Sequence, residues 1–347
     1  MQNLKILKKG KKQVNSWKKQ IILITSLCLL SIASGCTQTE EKTEQTTAQS
    51  SVSNTEKTQI WTTFLPVYLF TQAVAGDVAN VEILVPPGVD IHDYQATPDN
   101  VRAIASAKIL VKNGLGMEEF LEDTVKNAEN PQLVQIDASK GINVVDVDEN
   151  IVSAKDKKDH DHDHDHDHDH DHGHKHEHSQ GNPHVWLDPV FAKQQVINIR
   201  DGLIAADPQN QQTYQANAAA YIQELENLNN EFQQTLSTTP NCTFITFHDA
   251  FVHMAKRYQL QQVAVVELPE DKLSPADVKK AINTVKKYNV KALFSEPGVD
   301  NKLLVSLSQD LNLSLYPLNP LENGETNPQY YIQAMKSNLK NLSAGCK

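Results

Sequence analysis

The chain contains no His-Glu-x-x-His segment, no Cys-x-x-Cys pair and no apolar run of the roughly 20 residues that a membrane helix needs. The first absence removes the commonest metallohydrolase arrangement. The second argues against zinc held between close cysteines. The third leaves the apolar stretch Ile21 to Leu30 as the centre of a secretory signal and not a span. Acids are also missing from the first 34 residues, where seven lysines stand unopposed: Lys5, Lys8, Lys9, Lys11, Lys12, Lys18 and Lys19. Elsewhere basic residues are the scarcer kind. The net charge of −11 becomes near −18 once those seven lysines are subtracted, which argues against nucleic acid as a partner and suits a protein that attracts cations.

The signal closes on Ala33-Ser34-Gly35-Cys36. Small residues ahead of a cysteine resemble a bacterial lipobox, with Ala33 where Leu is usual. On this reading residues 1–35 are a lipoprotein signal peptide, and Cys36 is lipidated and anchors the mature chain outside the cytoplasm. Residues 36–58 are rich in Thr, Ser, Gln and Glu, with Val52 the single apolar residue larger than Ala, so they form a disordered tether. Of the four cysteines, Cys28 leaves with the signal. Cys242 and Cys346 remain, and outside the cytoplasm such a pair can bridge, although spacing alone leaves open whether they meet.

From Gln59 onward about 290 residues remain, enough for two cores. Short β-rich runs alternate with helical patterns: Ile60–Phe64, Val81–Val85, Ile109–Asn113 and Leu133–Ile136 in the first half, Thr243–Phe247, Val263–Val266, Ala292–Phe294 and Leu313–Tyr316 in the second. Such alternation predicts an α/β fold of two lobes, each with a mostly parallel four-stranded sheet flanked by helices. Thr97-Pro98 and Ser274-Pro275 mark helix starts. Between the halves, Tyr214, Ala218, Tyr221, Leu225, Leu228 and Phe232 recur in steps of four and three, one apolar stripe on a single long rigid helix joining the lobes. The expected divisions are an N-terminal lobe at 59–206, a linking helix at 207–238 and a C-terminal lobe at 239–347.

Within the first lobe Asp and His alternate from Asp159 to His172, and His174, His176 and His178 follow. The ten histidines, His160, His162, His164, His166, His168, His170, His172, His174, His176 and His178, accompany eight acids and one lysine. No packed core can come from this composition, so loop 159–178 is expected to be solvated and to hold metal or protons weakly. Immediately after it stands Asn182-Pro183-His184-Val185-Trp186-Leu187-Asp188-Pro189, a stiff turn that can aim His184. In open parallel sheets, ligands sit beyond the C-terminal strand ends. His92 follows the second strand and the turn Pro86-Pro87-Gly88, His248 follows Thr243–Phe247, and Glu322 follows the last strand. His253 falls within the next helix and reads as structural. Glu118 reads as an acid at a helix start.

His92-Asp93-Tyr94 after a Pro-Gly turn, the Asn-Pro-His-x-Trp-x-Asp-Pro segment and His248-Asp249-Ala250-Phe251 are together similar to the metal-binding lipoproteins of zinc and manganese ABC transporters. The resemblance is greatest to the zinc members, of the ZnuA and AdcA type, and covers roughly Gln59 to Leu342. It implies two lobes joined by a long helix, a metal in the cleft, and His92, His184 and His248 as ligands, with a fourth position that varies. Glu322 stands where family members carry an acid, while Glu296 and Glu267 are rivals at other strand ends. It further implies a membrane permease with its ATPase as partners, and a monomer is expected. Three imidazoles and one carboxylate suit Zn²⁺, whereas Mn²⁺ favours more oxygen ligands. Manganese-binding membership and a surface adhesin with structural zinc are the alternatives. A hydrolase is disfavoured, because no acid/base partner stands out.

Overall fold

The computed structural model describes residues 57–144, 181–264, 275–288, 290–298 and 301–347. The signal peptide, Cys36, the tether up to residue 56, loop 159–178 and Glu267 lie outside the described residues. No helix among the described residues is long and apolar enough to cross a membrane.

Strands and helices alternate as the sequence pattern predicts. The first half runs β1 (Thr58–Thr62), α1 (Leu65–Ala75), β2 (Ala79–Ile83), α2 (Pro98–Ser106), β3 (Ile109–Lys112), α3 (Leu121–Ala128) and β4 (Val134–Asp137). Two helices follow, α4 (Pro189–Ala206) and α5 (Gln211–Leu236). The second half runs β5 (Thr243–Thr246), α6 (Val252–Arg257), β6 (Gln261–Ala264), α7 (Pro275–Tyr288), β7 (Ala292–Ser295), α8 (Lys302–Asp310), β8 (Ser314–Pro317) and α9 (Gln329–Gly345). The two four-stranded sheets have the same order, β2-β1-β3-β4 and β6-β5-β7-β8, and every pairing is parallel. In each sheet the chain therefore leaves the first strand in opposite directions, and the crevice lies at the carboxyl ends of β1/β3 and of β5/β7.

Local chemistry explains several boundaries. Thr97 caps α2 through its hydroxyl and the Asn100 amide, a reciprocal box with Pro98 in the first turn. α4 is an addition to the expected scheme. Its start is Asp188, whose carboxylate accepts the Val190 N–H at 2.9 Å, and its buried positions Ala192, Val196, Ile199 and Leu203 recur in steps of four, three and four. α3 starts at Leu121, so Glu118 stands before the helix and not at its first turn.

The predicted apolar stripe of α5 is buried in full and extends to Leu236. It packs along α4 and against α1 and α9, so the linking helix is embedded and not a free strut. Instead of one core per lobe, a single apolar cluster runs from β1 and β3 (Ile60, Leu110) through α1, α4 and α5 to Phe244, Phe294 and Leu342 of the second lobe. Alternation along β5 divides the second sheet between two layers. Phe244 faces this shared core, while Ile245 faces a smaller cluster with Val263, Leu293 and Leu304. Cys242 at the start of β5 and Cys346 at the end of α9 are joined as a disulfide, Cα to Cα 5.6 Å, closing the second half on itself.

Leu228 and Asn230 lie two residues apart on α5, one buried and one exposed. Leu228→Ala is expected to lower stability by about 2–5 kcal/mol, and Asn230→Ala to change it by about 0.5 kcal/mol at most. Urea unfolding of the two variants checks whether the stripe is core.

Candidate metal centre

Four loops deliver four donors to one point. His92 lies between β2 and α2, His184 just before α4, His248 two residues past β5, and Glu322 five residues past β8. One donor atom from each lies within 4.8 Å of every other. The Nε2 atoms of His92 and His184 are 3.3 Å apart, and Glu322 Oε1 is 3.6 Å from the first and 3.8 Å from the second. A tetrahedral ion at about 2.0–2.1 Å from its ligands imposes donor–donor edges of about 3.4 Å. His248 Nε2 and Glu322 Oε1 are both buried with no hydrogen-bond partner. Unpaired buried polar atoms are uncommon, and two facing the same point fit a cation-binding site.

The far side of two of the rings is also specified. The His184 Nδ1–H donates to Asn182 Oδ1 at 3.0 Å, which leaves Nε2 as the donor to a metal. Asn182 in turn donates to the carbonyl and carboxylate of Asp249 in the second lobe. His248 Nδ1–H donates to Glu296, a fully buried carboxylate that also accepts the N–H groups of Phe247 and His248. Burial alone would lower the His248 pKa. The Glu296 carboxylate, helped by Glu322 and Asp249, outweighs it and raises the value to about 9. Glu296 thus favours positive charge on the ring, whether proton or metal. Burial would raise the Glu322 carboxyl, but the adjacent His92 and His248 hold it below the ordinary carboxylate value.

Comparison with known proteins shows the family. A family profile described as the periplasmic component A of a zinc-uptake complex, ZnuA, matches residues 60–345. The chain belongs to the ZnuA family. It is 34% identical over 301 residues to the high-affinity zinc uptake system protein ZnuA of Bacillus subtilis, covering 85% of this chain and 90% of that one. It is 33% identical over 334 residues to the zinc-binding lipoprotein AdcA of Streptococcus pneumoniae, which covers 94% of this chain, while the chain spans 60% of AdcA. The crystal structure of the Zn(II)-bound ZnuA-like domain of AdcA matches with a TM-score of 0.66 at 30% identity, over 83% of this chain and 98% of that one. The laminin-binding protein Lmb of Streptococcus agalactiae, described as bifunctional with adhesin and metal transporting activity, matches with a TM-score of 0.70 at 27% identity, over 84% and 100%.

Not every acid at a strand end of this ZnuA-family chain reaches the cluster. Glu296 stands behind His248 and outside the group of four donors. Glu118 is buried at the corresponding end of the first sheet, where it accepts from Thr63 Oγ1 at 2.6 Å and from the N–H groups of Asn113 and Gly114. Burial raises its pKa against those hydrogen bonds. Glu118 thereby fixes Asn113, whose side chain donates to the Pro183 carbonyl directly before His184. This support was missed in the sequence, where the only signal was an acid in a Gly-rich turn. Gly88 shows why that position requires glycine. Its φ is +85°, its N–H donates to the Glu322 carbonyl at 3.1 Å, and an added Cβ would stand 3.2 Å from Asn323.

His253 lies outside the donor group, on α6, as the sequence pattern predicts. Its Nε2–H donates to the Asn182 carbonyl at 2.8 Å, and Nδ1 is buried with no hydrogen-bond partner. Burial pushes its pKa down to about 4, with Arg257 and Lys256 acting in the same direction. Between about pH 4 and 6.5 the unfolded chain then binds the proton that the folded chain refuses, so stability is lost as pH falls through that window. His253→Gln keeps a donor for Asn182 and does not titrate. Its stability is expected to fall less steeply than wild type from pH 6.5 to 4, by on the order of 3 kcal/mol, measured as the difference between the two urea midpoints across pH.

Proposed function

We propose that this chain is the extracytoplasmic zinc-capturing component of an ABC transporter, taking up Zn²⁺ as cargo between His92, His184, His248 and Glu322 and delivering it to a membrane permease with its ATPase. The observation that supports this most directly is the convergence of four donors, two of them buried without hydrogen-bond partners. Three nitrogens and one oxygen favour zinc over manganese, which prefers oxygen-rich, higher coordination. The names of the relatives point the same way: zinc uptake in one, zinc binding in the other. We read the chain as a binding protein and not an enzyme. All four donors come from one chain, so a monomer suffices. Lipidation at Cys36 would hold it at the outer face of the cell membrane, as the name of the AdcA lipoprotein suggests. The likeness to Lmb supports a second reading, a surface adhesin. Laminin binding that survives loss of the metal ligands would favour it.

Single replacement of His92, His184 or His248 by Ala is expected to weaken zinc binding by at least about a hundredfold, with the fold retained because the core lies elsewhere. Glu322→Ala should cost less, since water can take a fourth position. Competition against a chromophoric chelator measures both. A triple histidine variant that still holds one zinc tightly would show that the metal sits elsewhere.

The His-rich loop has a separate role in this reading. In this reading its acids concentrate cations and its histidines bind them weakly. Deleting residues 156–178 should remove several weak, pH-dependent zinc sites, leave one tight site, and slow growth only when zinc is scarce. Equilibrium dialysis of the deleted chain that returned an unchanged zinc stoichiometry would reduce the loop to an inert linker.

A further inference from the structure

Trp186 contributes no donor atom, yet it bridges the loop that carries His184 and the loop that carries Glu322. Its side chain is fully buried, with its ring against Phe64 and against the His184 imidazole at 5.0 and 5.1 Å between centroids. Both of its polar handles are bound within the second lobe. The indole N–H donates to the Pro320 carbonyl at 2.8 Å, and its backbone carbonyl accepts the Tyr331 hydroxyl at 2.6 Å.

The segment held in this way is under backbone strain. Leu321, between Pro320 and Glu322, is fully buried with φ at +68°, in the left-handed region that leucine avoids. Such a conformation persists only where the surroundings over-determine it, and it clusters at functional sites. Here the surroundings are named contacts. The Leu321 N–H donates to Asn319 Oδ1 at 2.7 Å, and Asn319 is itself locked to Asn338 of α9 by two bonds of 2.8 Å. The left-handed residue turns the chain immediately before the carboxylate, whose Oε1 stands buried among the histidines with no hydrogen-bond partner.

We propose that Trp186 is a positioning residue for Glu322: its indole N–H, together with the Asn319 amide, holds Leu321 in the left-handed conformation that aims the carboxylate at His92 and His184. The inference rests on the reading of Glu322 as a zinc ligand. Without the indole donor, Pro320 loses a buried partner, Leu321 relaxes toward negative φ, and Glu322 turns away from the three histidines.

Trp186→Phe removes the N–H and keeps an aromatic ring, and Asn319→Ala removes the acceptor for Leu321. Zinc affinity by chelator competition, and the visible absorption of bound Co²⁺ as a probe of the ligand set, are measured for wild type, Glu322→Ala, both variants, and each variant combined with Glu322→Ala. Each single variant is expected to weaken zinc by about the same factor as Glu322→Ala and to shift the Co²⁺ spectrum to that of Glu322→Ala. Each double variant should bind no more weakly than Glu322→Ala alone. Wild-type affinity in either single variant, or losses that multiply in the doubles, would overturn the positioning role while leaving Glu322 as ligand. Wild-type affinity in Glu322→Ala would overturn the ligand assignment and the positioning role together. Should circular dichroism show Trp186→Phe unfolded, Asn319→Ala decides by the same outcomes.

Discussion

A site that binds a cation must leave some of its buried donor atoms without ordinary hydrogen bonds. His248 Nε2 and Glu322 Oε1 are buried with no hydrogen-bond partner, and leaving such a group unpaired costs about 1–3 kcal/mol. A loose cleft would relieve that cost by letting the carboxylate swing onto an imidazole N–H or out to water. This one holds three of its four donor groups from behind. Glu296 holds His248, Asn182 holds His184, and the strained turn at Leu321 holds Glu322. The arrangement is stable because the supporting groups are themselves satisfied. Glu296 takes two backbone N–H groups besides the ring, and Asn182 spans to Asp249 and His253.

The larger frame makes those bonds rigid. Asn182 to Asp188 belongs to the first lobe in sequence, yet three of its side chains bond to the second: Asn182 to Asp249, Asp188 to Arg257, Trp186 to Pro320. Arg257 also stands over the Phe191 ring at 5.0 Å. Beneath this seam the apolar cluster is continuous from one sheet to the other through α1, α4 and α5. Opening the lobes as separate bodies would expose that cluster to water, at roughly 25 cal/mol per Å². The geometry offered to a metal is accordingly set by the fold, and a nitrogen-rich, four-donor geometry discriminates by ligand type and number when intrinsic affinities alone would favour copper.

Most of the secondary structure was legible because its signals are local. The steps of four and three along Tyr214 to Phe232 are the repeat of one helix face, and Thr97-Pro98 caps a helix by contacts within one turn. α4 was legible in the same way, from Asp188-Pro189 and the spacing of Ala192, Val196, Ile199 and Leu203, but the apolar motif around His184 masked its start. The three histidines could be read as a set because a parallel sheet places every loop after a strand at the same edge.

By itself the sequence determined the alternation of strands and helices, the long apolar helix and the presence of aimed histidines at strand ends, since each depends on neighbours within a few residues. Only the tertiary structure decided which carboxylate meets those histidines. Glu118, Glu296 and Glu322 all follow strands, yet one braces the first sheet, one braces His248 and one enters the cluster. It also decided that one large apolar cluster runs through both lobes and that Cys242 meets Cys346 across 104 residues. The physical reason is that a side chain's direction at a loop is set by groups packed on it from distant segments, and residue order carries no record of that packing.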